Sequence, residues 1–458
     1  MSSISKTNKY EMDMCNGPLL SKIMIFSIPL MLSGLLQLTF NAADIVVVGR
    51  FAGKEALAAL GPTSSLTNLF VNVFMGLSVG ANVLVARFYG AGQKKELDDM
   101  VHTAITTAIV SGIILVLLGV GLARPALTLM DTPTNVIDQS VIYMQIYFAG
   151  MPVMMLYNFG SAILRAIGDT KRPLYYLMVA GVLNVVLNLV FVIVFHMGVA
   201  GVALATVLSQ VVSAALVIRC LVLNDGSVKL NLKRLRIVPD KLLKMIRIGV
   251  PAGLQGAMFS VSNVLIQSSV NSFGDIAMAG NTAGQNIEGF VFTAMNALHQ
   301  GAVSFSGQNY GARKFKRIAK IALICELLVI VVGTILSGVI LIFSKPLLGL
   351  YSTDPEVIEY GINRLRIICT TYFLCGMMDV MVGILRGMGY AIAPMIVSLT
   401  GVCAFRVVWI YTIFANFRTL DVLYISYPVT WTVTFVVQLI MFLVIYKRLG
   451  YIMYEGEN

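Results

Sequence analysis

Asp44 sits in LLQLTFNAADIVVVG (residues 35–49), near the end of an apolar run from Ile23 to Val48. Gln37, Asn41 and Asp44 are spaced i, i+4, i+7, so a helix puts all three on one face. An ionisable group in such a segment faces the bundle interior or a wet cavity, and is a functional candidate by default. Ringed by amide and hydroxyl oxygens, it can hold a proton or a small hard cation such as Na+. Asn184 and Asn188, spaced i, i+4 in GVLNVVLNLVF, and Thr206 can supply those oxygens. Alternatively these residues are interhelical hydrogen bonds that hold a bundle together. For Asp44 that alternative is the weaker one, because a neutral Asn would tie helices without burying a charge.

A second set of polar residues lies in the other half of the chain. Asp379 (LCGMMDVMVGILRG) and Arg406 (GVCAFRVVWIY) are predicted to form a buried ion pair, because an unpaired buried charge is far costlier than a bonded one. The pair reads either as a structural lock or as a second ion-sensitive site. Glu288, in NTAGQNIEGFVFT, shares a helix face with Gln285 and Asn281. As an uncompensated carboxylate at a central cavity it would attract lipophilic cations; the alternative is a packing or gating bond. Met151, Met154 and Met155 cluster in the fourth span, and Met377, Met378 and Met381 in the tenth, the equivalent element of the second half. Flexible, polarizable side chains suit a pocket that accepts many shapes, although filling gaps between helices is their commoner role. Met151, Met155, Tyr147, Asn158, Gln255, Gln285 and Glu288 are the expected substrate-cavity residues, with Tyr147 and Phe159 offering aromatic surface to cations.

The elements that must position these groups are transmembrane helices. Of the 458 residues, 58% are hydrophobic and 12% charged, and the mean hydropathy is +0.85. A soluble domain would carry about 25% charged residues. The apolar runs are long enough to cross a bilayer as helices. Twelve spans are predicted: 23–48, 57–86, 101–123, 138–163, 174–195, 199–222, 248–272, 277–305, 321–343, 358–385, 394–416 and 422–446. The N-terminal stretch does not read as a cleavable signal, since the first apolar run is too long for one.

The net charge of +11 does not point to nucleic acid. Most of the 33 Lys and Arg fall in alternate loops, in clusters at Lys94–Lys95, Lys171–Arg172, Lys229 to Arg247 and Arg313 to Lys320. The opposite loops hold Arg50, Lys54, Arg124, Lys345 and Arg418. This asymmetry predicts that both termini are cytoplasmic. The six cysteines form no CxxC pair and read as small apolar residues, neither disulfides nor metal ligands. No phosphate-binding loop, Ser-His-Asp set or HExxH motif occurs, so neither nucleotide binding nor catalysis is expected, and no cofactor.

Shifting the chain by 221 residues lays GANVLVARFYGA (80–91) over GAVSFSGQNYGA (301–312) and LRAIGDTKRP (164–173) over LRGMGYAIAP (385–394). Pro125 falls on Pro346, and Pro29 falls within a residue of Pro251. The chain is therefore two six-helix halves of the same direction, related by an axis along the membrane normal, with the substrate site expected at their mid-depth interface. The expected organisation is a tail (1–22), an N-lobe (23–222), a basic linker (223–247), a C-lobe (248–446) and a second tail (447–458). The linker's end, DKLLKMIRIG, reads either as an interfacial helix or as a solvated loop.

The first-span DIVVVG, the YGA loop, LRAIGDTKRP and the N-x(3)-N pair together resemble the MATE family of multidrug and toxic-compound extrusion transporters over essentially the whole chain. The first-span Asp, with no acid between Pro251 and Gln267, is closer to the DinF-like bacterial branch than to the NorM-like one. The resemblance implies an all-α fold of two pseudo-twofold-related lobes in the bacterial inner membrane, working as a monomer. The implied activity is export of drugs and organic cations in exchange for H+ or Na+. It also implies a cation-responsive cluster of Asp44, Asn184, Asn188 and Thr206. Several relatives have Asp where this chain has Asn188, which leaves Asp44 as the one acid expected deep in the N-lobe and the coupling ion open. A related flippase for lipid-linked oligosaccharides is the alternative. It would need a more basic cavity than Arg406 alone provides. A channel or receptor is a more distant one.

Overall fold

A computed structural model of the chain describes residues 10–52, 54–130 and 132–456. Among them no strand occurs, and twelve helices cover nearly the whole length. They are α1 (Leu19–Ala52), α2 (Lys54–Gly90), α3 (Lys94–Leu129), α4 (Ile137–Ala149 with Met151–Ala166), α5 (Lys171–Val194), α6 (Gly198–Val222), α7 (Pro239–Asn271), α8 (Asp275–Gly311), α9 (Phe315–Ile342), α10 (Pro355–Cys369 with Tyr372–Gly387), α11 (Ile392–Phe414) and α12 (Leu420–Gly456). Nine of these spans are long and apolar enough to cross a bilayer, α2 by its Phe70–Gly90 portion, and α4 and α10 qualify as pairs bent by 48°. The remaining helix, α8, is more polar, since it carries Glu288, His299, Gln308 and Asn309.

The repeat is visible in the helix bounds. α2, α3 and α5 begin at Lys54, Lys94 and Lys171, and α8, α9 and α11 begin at the positions 221 residues on, Asp275, Phe315 and Ile392. The bends of α4 and α10 also coincide in this register. Short π turns close α5 (Val190–Val194) and α11 (Ile410–Phe414), one residue off the register.

The chain forms two compact units whose limits depart from the expected lobes. Unit 1 contains the described residues up to Asp13 and Leu32–Leu254; unit 2 contains Met14–Met31 and Gln255 onward. The first part of α1 thus belongs with the C-terminal half, and the first part of α7 with the N-terminal half. Each exchange falls just after a proline inside the helix, Pro29 or Pro251, where one backbone hydrogen bond is lost.

In unit 1, α4 packs against α2, α3 and α6, and α5 packs on α6. The start of α7 joins them through two Gly-x(3)-Gly pairs. A Cβ at Gly76 would stand 2.3 Å from Gly249 O and Gly253 N, so only glycines allow the α2 and α7 backbones to meet there. DKLLKMIRIG is accordingly neither an interfacial helix nor a free loop; it is the first part of α7, and Lys241 within it is 5% exposed. The preceding linker is held as well. The Asn231 N–H donates to His102 Nε2 (3.1 Å), Val238 N–H donates to Thr103 Oγ1 (3.1 Å), and Arg236 and Lys241 pair with Asp99 and Glu96. In unit 2, α8 is central and packs against α9 and both parts of α10, while α12 lies on α10 and α11.

Candidate ion-coupling site and buried polar network

In unit 1 a polar chain crosses three helices. Asp44 of α1 accepts a hydrogen bond from the Asn188 amide of α5. The same amide nitrogen donates to Asn184 Oδ1 (3.2 Å). Asn184 Nδ2 reaches Thr206 Oγ1 of α6 at 3.4 Å, and that hydroxyl donates to Val202 O (3.0 Å). The structure therefore brings Asp44, Asn184, Asn188 and Thr206 together. It does not extend the chain to Gln37 and Asn41, which are exposed on α1 and make no hydrogen bond to it.

Local sequence explains the geometry. Gly181 lacks the side chain that would collide with the Phe40 ring, whose Cε2 lies 1.8 Å from where a Cβ would be, so α1 seats against α5 one turn from Asp44. One turn beyond the polar chain, Val47, Val48, Val192, Val199 and Val202 form an apolar cluster with Tyr143 against it. Close helix packing of α1 is concentrated at its terminal π turn, Val48–Ala52, against α2, α5 and α6. Tyr143 and Tyr147 stack with ring centroids 6.0 Å apart. Asn188 Oδ1 is buried without a hydrogen-bond partner. An acceptor is thus left open beside the carboxylate.

In unit 2 the expected pair of Asp379 and Arg406 does not form. The Arg406 guanidinium lies over the Tyr427 ring, 4.1 Å from its centroid, and reaches Asn263 Oδ1 at 3.4 Å. The backbone carbonyl oxygen of Asp379 meets His299 Nδ1 at 2.6 Å. A π turn at Leu399–Ala404 rephases α11 just ahead of Arg406, which helical spacing cannot anticipate.

The buried ion pair joins two other residues. Arg364 Nη2 donates to Glu288 Oε1 at 2.5 Å, and its Nη1 donates to Asn281 Oδ1 at 2.8 Å. Tyr424 Oη donates to the same Asn281 oxygen (3.0 Å), and Gln267 Oε1 accepts from the Asn281 amide (2.7 Å). Glu288 is consequently not the uncompensated carboxylate that its sequence setting implies. Gln285, three residues earlier, is exposed.

The other expected cavity residues are buried or half-buried within their own units. Met151 and Met155 have no exposed surface, so both fill gaps between helices of unit 1. Asn158 is half-buried and donates to its own turn, at Met154 O (2.8 Å). Tyr147 is half-buried, and Gln255 is 4% exposed and accepts from Arg386 Nη2 (2.7 Å). Arg406 is not the lone deep base: Arg364 and Arg386 are also buried. Glu326, 8% exposed in α9, went unmarked by sequence reasoning, although an acid within IALICELLVIVV is itself the signal.

The chain matches known proteins along most of its length. The MatE family model matches residues 29–190 and again 251–412, one copy in each half. A probable multidrug resistance protein of Bacillus subtilis, YpnP, is 30% identical over 84% of this chain and 86% of its own. YoeA, another probable multidrug resistance protein of that organism, is 28% identical over 90% of each chain. A solved outward-facing conformation of a multidrug resistance MATE family transporter has the same fold, with a TM-score of 0.91 over 98% of this chain and 100% of that one, at 22% identity.

Proposed function

Because this chain belongs to the MatE family of membrane transporters, we propose that it is a secondary-active antiporter that expels organic, cationic and amphipathic compounds in exchange for H+ or Na+. The names of YoeA and YpnP support drug-like substrates. The distribution of Lys and Arg supports cytoplasmic termini in a bacterial inner membrane. The reading needs no catalytic step, no nucleotide and no cofactor besides the coupling ion, and the transporting unit is one chain.

One observation carries the proposal: the Asp44 carboxylate of α1 is tied to α5 by the Asn188 amide. When Asp44 is charged, the amide nitrogen donates to it. When Asp44 is protonated, its O–H becomes a donor, and turning the amide would offer Asn188 Oδ1 as acceptor. For Na+, the oxygens of Asp44, Asn184, Asn188 and Thr206 supply ligands with a single counter-charge. Either event changes the bond joining α1 to α5 and so biases the conformation of α1, which favours outward release of substrate.

The test uses proteoliposomes with an imposed pH or Na+ gradient and ethidium as the transported cation. Asp44→Asn should insert normally and lose gradient-driven efflux. Full efflux in that variant would overturn the proposal, and flux without any gradient in the wild type would indicate a channel.

A further inference from the structure

Glu326 lies near the middle of α9 and is 8% exposed. Neither of its carboxyl oxygens has a hydrogen-bond partner among the described residues. Two other carboxylates described deep in the spans have hydrogen-bond partners: Asp44 has Asn188 and Glu288 has Arg364. Helix α9 packs mainly on α8 and α10. Four charged or titratable groups of those helices are engaged elsewhere. His299 meets the Asp379 carbonyl, Arg386 binds Gln255, and Glu288 and Arg364 hold each other. The titratable group that feels Glu326 is its own neighbour, Cys325.

An ionised carboxylate without partners is not sustained in such surroundings; the group takes up a proton instead. Packing does not account for the residue. In the repeat register position 326 corresponds to Ile105 of α3, which is 1% exposed, and the two helices start in the same register at Lys94 and Phe315. The fold accepts isoleucine at this place. Asp44 has the reciprocal asymmetry: in the one-residue-longer offset that lays Pro29 on Pro251, its counterpart is Ile266, 2% exposed. Each half carries an acid where its twin keeps isoleucine.

We propose that Glu326 is a second proton-binding site, which holds its proton in the packed arrangement of α8, α9 and α10 and releases it when that packing loosens during transport. The role in transport rests on the antiport reading. The site takes H+ and not Na+, because a hard cation needs several oxygen ligands, and among the described residues no group of three or more acidic, His or Cys side chains gathers here.

Difference infrared spectroscopy of the whole protein in liposomes, through a pH titration and on addition of ethidium, tests the site. A carboxylic-acid carbonyl band should appear in the wild type, persist in Asp44→Asn, vanish in Glu326→Gln, and weaken when ethidium is added. Glu326→Gln mimics the protonated acid, and Glu326→Ile reproduces the twin position, so both should insert and fold. Identical bands in wild type and Glu326→Gln would overturn the proposal, as would a Glu326 band unmoved by pH and by ethidium. If the band responds but no efflux follows either a pH or a Na+ gradient, the antiport reading fails and the proton site stands. If efflux is H+-driven but the band does not respond, the proton site fails alone.

Discussion

The guanidinium of Arg364 on α10 and the carboxylate of Glu288 on α8 stand 2.5 Å apart, with side chains only 2% and 9% exposed. Asn281 and the Tyr424 ring complete the enclosure: Asn281 accepts the second guanidinium bond, and Tyr424 lies under the cation at 5.3 Å. The arrangement is neutral overall and fixes α8 to α10 at mid-length. Breaking it from one side leaves a bare buried charge. Arg364→Met should destabilise the protein by about 3–5 kcal/mol, while the double change Glu288→Leu with Arg364→Met should recover most of the loss. Thermal unfolding in detergent reads both. Equal destabilisation by the single and double variants would mean the pair acts through shape and not through charge.

Asn188→Asp puts a second carboxylate against Asp44 and Asn184. Like charges at hydrogen-bond distance cannot both stay ionised without a cation between them. Na+ should therefore drive efflux at lower concentration in this variant than in the wild type. An unchanged Na+ dependence in proteoliposomes would show that the cluster does not bind the ion.

The contact of α2 with the start of α7 predicts a sharp contrast among glycines. Gly76→Ala places a methyl 2.3 Å from backbone atoms of Gly249 and Gly253, which no rotamer relieves, and should cost about 1–3 kcal/mol. Gly121→Ala, on α3 with nothing within 4 Å, should be neutral or slightly stabilising. Melting temperatures of the two variants give the comparison.

Arg317 binds three carbonyl oxygens of the segment ahead of α1: Met14 (3.3 Å), Asn16 (3.0 Å) and Gly17 (2.8 Å). Arg317→Ala should loosen that segment within unit 2. Cys15 is half-buried and the other five cysteines are buried, so maleimide alkylation reports on it. Faster labelling of Cys15 in the variant is the expected result, and an unchanged rate would assign the anchoring to Lys314, which donates to Cys15 O, and to Gln308 and Asn309, which bond Met14 N–H and Met14 O.

Low charge, long apolar runs and a fixed repeat offset determined the helical class, the two halves and the span order, because lipid leaves a backbone few other ways to satisfy its hydrogen bonds. The same reading found Asp44 and its three partners. Local spacing sufficed there: Asn184 and Asn188 share a face of α5, and an acid in an apolar run draws notice wherever it occurs. Glu326 was legible by that rule too and was passed over.

Tertiary structure decided the partners. Glu288 binds Arg364 and Arg406 stacks on Tyr427, because π turns and a 48° bend rotate α10 and α11 out of the phase that 3.6-residue spacing assumes. Tertiary structure also decided where α1 and α7 divide between the units, and turned a stretch that reads as basic linker into packed helix through glycine contacts with α2. Periodicity fixes which residues share a face. Which face meets which neighbour depends on helix rotation and depth, and those are set by contacts far apart in the chain.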